Sequence, residues 1–93
     1  MGYGNELAGS ALKRFIMEVK VLFFGVLAEV TGTSCKHYPD VSRMEDLRLR
    51  ITDDFPEIMH YNYRIALNNV IIVGEPSLQP GDEVAFLPPF AGG

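Results

Sequence analysis

Apolar and polar residues alternate with a period of two in several short stretches of this chain, and each stretch predicts a strand. The clearest is the first, in which Val19, Val21 and Phe23 alternate with Glu18 and Lys20. Turn signals rich in glycine, proline or asparagine separate the stretches. The predicted strands span residues 18–24, 34–38, 64–67, 70–73 and 83–87.

Between the second and third predicted strands, the apolar period lengthens to that of a helix. The residues of this apolar stripe are Met44, Leu47, Ile51 and Phe55. A capping box is predicted to start the helix, with the Ser42 hydroxyl and the Glu45 carboxylate each accepting a backbone N–H, and Pro56 limits its far end. The order β-β-α-β-β-β, with one main helix packed across a mixed sheet, predicts an α+β roll of the ubiquitin-like β-grasp type.

The first sixteen residues have a different character from the rest of the chain. Glycine recurs there in linker-like positions, and the regular pattern begins only at Met17. Apolar residues at helical spacing predict a short helix within residues 5–15, although Gly9 disfavours it. We therefore interpret residues 1–16 as an N-terminal extension, an added or upstream-start segment, and residues 17–93 as the domain.

The end of the chain carries the strongest functional signal. Pro88-Pro89 is predicted to end the last strand and to direct the following residues, Phe90 to Gly93, into an extended tail. Gly92 and Gly93 have no Cβ and fit a passage that excludes side chains. Six residues reach about 20 Å, enough to enter a partner's active site. A frayed terminus is the plainer alternative, but a terminal Gly-Gly arises by chance in only roughly 0.5% of chains.

Composition narrows the class of partner. The 93 residues allow one domain, and a net charge of −4 without a basic cluster argues against nucleic acid. No apolar run has the length of a membrane span or the form of a signal peptide, which predicts a protein without a membrane partner. A single cysteine, Cys35, cannot form an internal disulfide, so we expect a cytoplasmic location.

Three segments together resemble one known family. They are Lys20-Val21-Leu22-Phe23-Phe24, Gly81-Asp82-Glu83-Val84-Ala85-Phe86 and Pro88-Pro89-Phe90-Ala91-Gly92-Gly93. The domain from residue 17 to residue 93 thereby resembles the small subunit of molybdopterin synthase, among the β-grasp sulfur carriers related to ubiquitin. The last segment, with the strand before it, is the most specific of the three.

The resemblance implies a definite chemistry at the terminus. A ubiquitin-activating-type adenylyltransferase is expected to adenylate the Gly93 carboxylate with ATP, and a sulfur donor then converts it to a thiocarboxylate. The large subunit of molybdopterin synthase, in a heterotetramer, accepts this tail, and the sulfur attacks the cyclic pyranopterin monophosphate precursor of molybdopterin. The resemblance implies no cofactor bound by this chain, because the activating partner uses the ATP. The chain is then a sulfur-donating subunit more than an enzyme by itself.

The resemblance also implies which residues contact the partners. By this resemblance, Phe24 and Leu87 are expected to present apolar contacts. Phe90 is an apolar residue four positions from the end, and from that position we expect it to anchor the tail in a partner. Ala91 and Gly92 form the slim tether that reaches Gly93. Strict alternation along the last strand predicts that Phe86 is buried and that Leu87 is exposed.

Three functions remain open at this point. The first is sulfur donation in molybdopterin biosynthesis, which the double proline before the tail favours. The second is sulfur carriage for thiamin, cysteine or tRNA thiolation. The third is a ubiquitin-like conjugation or interaction module, in which Gly93 forms an isopeptide bond to a lysine.

Cys35 and His37 are the remaining residues with chemical potential. Their spacing places them on one face of a predicted strand. A zinc site needs about four ligands, and a nucleophile needs a base and an orienting group. Because the chain offers only one other histidine and no second cysteine, we interpret both residues as structural and predict no metal site.

Overall fold

Five strands form one mixed sheet in the part of the chain that the computed structural model describes, residues 18–89. Its elements in chain order are β1 (Val19–Phe23), α1 (Val26–Thr31), β2 (Cys35–Tyr38), α2 (Met44–Asp54), a 3₁₀ helix (Pro56–His60), β3 (Arg64–Leu67), β4 (Val70–Ile71) and β5 (Glu83–Leu87). The strand order is β2-β1-β5-β3-β4, with β1 and β5 parallel and the other neighbours antiparallel. The α+β ubiquitin-like β-grasp fold predicted from the sequence is confirmed.

The core lies between one face of this sheet and the helices. The largest fully buried side chains include Phe23 and Phe86 from the two central strands and Leu27, Leu47 and Ile51 from the helices. The rings of Phe23 and Phe86 lie 5.6 Å apart. The predicted helical stripe is confirmed, because Met44, Leu47 and Ile51 are buried and Phe55 packs against the core from the end of α2.

The helix α1 was not predicted, so the sequence-based order β-β-α-β-β-β is wrong at this point. Only six residues form it, and β-branched Val26, Val30 and Thr31 make its composition strand-like. Glycines with positive φ, Gly25 at 56° and Gly32 at 76°, bound it on both sides. This helix forms because Leu27 is buried in the core, and no pattern in the neighbouring sequence predicts that burial.

The capping box predicted at the start of α2 is also wrong. The N-cap residue is Arg43, in an extended conformation and without a side-chain cap. Its guanidinium pairs with the Glu45 carboxylate, which is therefore not the reciprocal cap. The segment around Pro76 crosses this end of the helix, and the Pro76 carbonyl accepts the Met44 N–H at 3.4 Å. A distant backbone thus takes a role that was expected of local side chains.

The remaining boundaries follow the sequence closely. The strands β3 and β5 coincide with their predicted ranges, and β4 is shorter, ending at Ile71 instead of residue 73. Asn68 and Asn69 both have positive φ, 49° and 72°, as a type I′ hairpin turn requires. The predicted N-terminal extension and its short helix lie outside the described residues. None of the helices described for residues 18–89 has the length and apolarity needed to cross a membrane.

Candidate functional site

The tail leaves the domain from the middle of the sheet. The strand β5 lies between β1 and β3, and its last residue, Leu87, is directly followed by Pro88 and Pro89. The Phe24 N–H donates to the Phe86 carbonyl at 3.1 Å, so the β1–β5 pairing continues to the end of the strand. This anchorage gives the tail a rigid starting point. The tail residues Phe90, Ala91, Gly92 and Gly93 themselves lie outside the described residues.

Gly25 and Pro88 form a tight contact at the base of the tail. Gly25 has φ 56° and ψ −133°, a region of backbone space that is open almost only to glycine. A Cβ placed on Gly25 would lie 3.0 Å from the Pro88 Cγ and 3.7 Å from its Cδ. The loop after β1 therefore closes against the proline ring and supports it. The sequence marks Gly25 only as a strand boundary, because nothing local identifies Pro88 as its neighbour.

The two predicted apolar contact residues lie at this same end of the sheet. The parallel register pairs Phe23 with Phe86, so the next residue of each segment, Phe24 and Leu87, points away from the core. Phe24 is 44% exposed and Leu87 is half-buried, whereas Phe86 is fully buried. The predicted assignment of Phe86 to the core is confirmed. Whether Phe24 and Leu87 touch a partner stays a prediction.

An apolar row crosses the outer face of the sheet, opposite the helices. Its members are in register on all five strands: Cys35, Leu22, Ala85, Ala66 and Ile71. All helical residues of the core pack on the other face, so within residues 18–89 no helix covers this row. Small side chains at its centre keep it flat. A flat apolar strip beside the tail is suited to docking against another protein.

A charged row borders the apolar row at the end far from the tail. Lys20 and Glu83 are cross-strand partners, and their side chains form an ion pair at 3.7 Å. Asn68 adds a further link, because its side-chain oxygen accepts the Glu83 N–H at 2.9 Å. The pair is half-exposed and is worth little for stability. The charges of Lys20 and Glu83 cancel within this pair.

A polar cluster joins α2 to the edge strand β2. The Tyr38 hydroxyl donates to the Asp54 carboxylate at 2.7 Å, and the Lys36 ammonium donates to the same oxygen at 2.8 Å. The bond from Lys36, and then that from Tyr38, lowers the pKa of Asp54. Burial, reinforced by the bond to Asp54, raises the pKa of Tyr38. Both groups therefore keep their neutral-pH charge states, and the cluster holds the end of α2 in place.

Cys35 and His37 lie on the outer face of the sheet. Cys35 is half-buried in the apolar row, and His37 is exposed beside Lys20. In the described part of the chain, no group of three or more His, Cys, Asp or Glu side chains is arranged to hold a metal ion. Cys35 fills its place in the apolar row as a small hydrophobic side chain.

Comparison with known proteins agrees with the fold and the tail. The model of the ThiS family matches residues 21–93, which begin within β1 and include the rest of the described domain and the terminal Gly-Gly. The chain belongs to the ThiS family. At that level it is a ubiquitin-like sulfur carrier.

Several solved structures are similar to this ThiS-family chain. A chain from the complex of subunits 1 and 2 of molybdopterin-converting factor from Helicobacter pylori is 28% identical, with a TM-score of 0.65 over 83% of this chain and 100% of that one. The small archaeal modifier protein 1 of Methanosarcina acetivorans is 27% identical, with a TM-score of 0.71 over 82% and 96%. A putative molybdopterin converting factor subunit 1 from Pyrococcus furiosus, 23% identical with a TM-score of 0.70 over 80% and 99%, shows the shared fold alone.

Proposed function

We propose that this chain is the sulfur-donating small subunit of a molybdopterin synthase. The observation that carries the proposal is the similarity to a chain of the two-subunit molybdopterin-converting factor, which is matched over its full length. The family match, which extends to the last residue, Gly93, supports the use of the terminal carboxylate.

The proposed reaction begins with activation of the Gly93 carboxylate. A carboxylate is a poor electrophile, because its charge is delocalised and oxide does not leave. An adenylyltransferase of the ubiquitin-activating type joins it to the α-phosphate of ATP and releases pyrophosphate. Persulfide sulfur then attacks the acyl carbon and AMP leaves, after which a thiol cleaves the S–S bond and leaves the thiocarboxylate. Because the activation consumes ATP, we place it in the cytoplasm.

The second half of the proposed reaction takes place in the large subunit. The tail, with Phe90 as its apolar anchor and Ala91 and Gly92 as its tether, carries the sulfur to the cyclic pyranopterin monophosphate. There the thiocarboxylate sulfur bonds to a carbon of the precursor and displaces the oxygen that this carbon carried, and hydrolysis of the resulting thioester leaves the sulfur on the pterin and restores the Gly93 carboxylate. Two such transfers supply the dithiolene sulfurs of molybdopterin. The chain contributes positioning, while acids, bases and substrate binding come from the large subunit.

The described domain suits this positioning role in two ways. The Gly25–Pro88 contact supports the base of the tail, so an extended tail starts from a defined place and direction. Phe24 and Leu87 supply apolar surface at the point where the tail leaves the sheet. Because the adenylyltransferase and the large subunit both need Gly93, we expect them to compete for the chain instead of binding it together.

A second function is favoured by a different neighbour. The archaeal modifier from Methanosarcina acetivorans is nearly as similar, at 27% identity, and its name describes a protein modifier. On this alternative, the activated Gly93 carboxylate is attacked by a lysine amine of another protein and forms an isopeptide bond. Both functions share the activation step, and they differ in whether sulfur or nitrogen becomes bonded to the acyl carbon.

The test is the intact mass of the chain after incubation with ATP, an adenylyltransferase and a persulfide donor. The proposal expects exchange of one oxygen for sulfur at Gly93, followed by its loss when the large subunit and the pterin precursor are added. Molybdopterin formation, detected as its fluorescent oxidation product, completes the test. Conjugates to lysine without a thiocarboxylate would favour the modifier function. An unchanged mass beside an active control carrier, across several adenylyltransferases, would contradict both.

A further inference from the structure

The strands place three charged side chains on the outer face of the sheet, and two of them are paired with each other. Alternation and register put Lys20, Glu83 and Arg64 on this face. Lys20 and Glu83 form the ion pair at the end far from the tail. Arg64 is exposed, and none of the ion pairs found within residues 18–89 involves it. The outer face therefore has one uncompensated positive charge, although the whole chain has a net charge of −4.

The side chains beside Arg64 on this face are apolar. Arg64 and Leu87 are direct cross-strand partners, and Ala66 and Ala85 form the pair in the next row. Ile65, between the two rows, is buried, so Arg64 lies on the opposite side of β3 from the core. A protein that covers this apolar surface also removes water from the Arg64 guanidinium.

One carboxylate of the described domain shares a small cavity with Arg64, at the edge of the sheet. Glu75, Arg48 and Arg64 all border this cavity, which has a volume of about 230 Å³. Glu75 is paired there with Arg48, which matches its charge. The Arg64 guanidinium is left to the solvent, and it needs a carboxylate from outside the domain once that solvent is excluded.

The position of Arg64 excludes the reacting groups themselves as its partner. Leu87 directly precedes Pro88, and six residues, from Pro88 to Gly93, follow it. An extended tail of six residues places the Gly93 carboxylate about 20 Å from the end of β5. Phosphates of substrates that react at Gly93 are then too far for an arginine side chain beside Leu87 to reach. The group that binds Arg64 must come from the protein surface around the base of the tail.

We propose that Arg64 pairs with a carboxylate of the large subunit, beside the point where the tail enters that protein. This inference rests on the proposed function, and it adds the chemistry of the surface that lies over Arg64. A protein that takes the tail closes over the end of β5, and so over the cross-strand partner of Leu87. Burying an unpaired guanidinium is costly, whereas a carboxylate opposite it can form a bidentate pair. Arg64 thus favours a partner with an acidic side chain at this place over one that is apolar or basic there.

The test is the affinity of the large subunit for the full chain and for variants at position 64, measured by calorimetry. Arg64→Gln should weaken binding about tenfold, and Arg64→Glu about a hundredfold, because charge reversal brings two carboxylates together. Arg64→Lys should recover part of the affinity, since it keeps the charge but not the planar fork of donors. Raising the salt from about 0.05 M to about 0.5 M should reduce the difference between the wild type and Arg64→Gln.

Arg43→Gln is the matched control for the loss of one positive charge. Arg43 lies at the start of α2, on the helical layer, and its side chain is 64% exposed, so this variant should bind as the wild type does. Melting temperatures of the position-64 variants should stay within about 4 °C of the wild type. In sulfur transfer, these variants should raise the apparent KM for the thiocarboxylated chain and leave kcat unchanged, because Arg64 lies far from Gly93.

The outcomes separate this inference from the proposed function. If the wild-type chain transfers sulfur but Arg64→Gln binds the large subunit equally well, the inference is overturned and the proposed function stands. An equal loss of affinity in Arg43→Gln, or a fall in kcat with KM unchanged, would overturn it in the same way. A wild-type chain that neither accepts sulfur nor binds the large subunit would contradict the proposed function, and the inference would fall with it.

Discussion

Replacement of Gly25 by alanine tests the contact that supports the base of the tail. Gly25 has φ 56° and ψ −133°, and forcing alanine into such a conformation costs about 1–3 kcal/mol. The added Cβ would also lie 3.0 Å from the Pro88 Cγ, closer than a normal contact. The proline ring is tied to its own backbone and cannot swing aside, so the end of β5 must move or the loop must open.

The backbone strain and the close contact with Pro88 together predict a loss of about 2–3 kcal/mol of unfolding free energy for Gly25→Ala. In a domain of this size each kcal/mol lowers the melting temperature by about 4–8 °C, so a fall of roughly 10–20 °C is expected. Urea denaturation gives the free energy directly, and thermal melting followed by circular dichroism checks it. Sulfur transfer to the pterin precursor should fall as well, because the origin of the tail is displaced.

Gly32→Ala provides the matched control. Gly32 also has positive φ, 76°, but a Cβ placed there meets no atom within 4 Å. The Gly32→Ala variant should therefore lose about 1–2 kcal/mol of unfolding free energy, which is the cost of the backbone conformation alone. Adding Pro88→Ala to Gly25→Ala should recover about 1 kcal/mol, because it removes the ring atoms that the new Cβ meets. If Gly25→Ala costs no more than Gly32→Ala and Pro88→Ala recovers nothing, the contact does not support the tail.

Three further predictions address the tail, the docking surface and the polar cluster. Deleting Gly92-Gly93 should abolish thiocarboxylate formation, as measured by intact mass. The melting temperature should stay within about 2 °C of the wild-type value, since no side chain is removed. A large fall in the melting temperature would show that these residues are structural. Phe24→Ser removes a side chain that is 44% exposed, so binding to the large subunit should weaken about tenfold in calorimetry while the fold persists; unchanged affinity would exclude Phe24 from the interface. Tyr38→Phe removes the hydroxyl that donates to Asp54 and should cost about 1 kcal/mol in urea denaturation. Because the folded-state pKa of Tyr38 is raised, the contribution of its hydroxyl to wild-type stability should be fully present below about pH 10, the unfolded-state value, and should be lost as pH rises from there through the folded-state pKa; the variant should lack this part of the fall. The folded-state pKa of Asp54 is lowered, so both proteins should lose stability as pH falls below about 4, the variant less steeply.

Local pattern was sufficient for most of the fold. The strands β3 and β5 have the bounds that alternation and turn residues indicate, and the stripe of Met44, Leu47 and Ile51 is the buried face of α2. The burial of Phe86 also follows from alternation alone. These features follow from the side-chain periods of the helix and of the strand, and a few neighbouring residues are enough to show which period is present.

The local sequence pattern did not predict the features in which a residue far along the chain supplies the packing or hydrogen-bonding contact. The short helix α1 is held by the burial of Leu27 in the core, against strand-like local composition. The start of α2 is satisfied by the Pro76 carbonyl instead of the Ser42 hydroxyl. Each failure has the same physical cause, since packing and hydrogen bonds from residues far along the chain outweigh local preferences of about 1 kcal/mol.

The candidate site also has some features that the local sequence predicts and others that depend on distant residues. That the tail is slim and starts on a stiff double proline follows from the sequence alone, because Gly92 and Gly93 have no side chain and the two prolines have a fixed φ. The place from which that tail starts depends on tertiary contacts, chiefly the one between Gly25 and Pro88, and so do the surfaces that surround it. The pairing of β1 with β5 joins residues more than sixty positions apart, and no pattern within either strand specifies its partner.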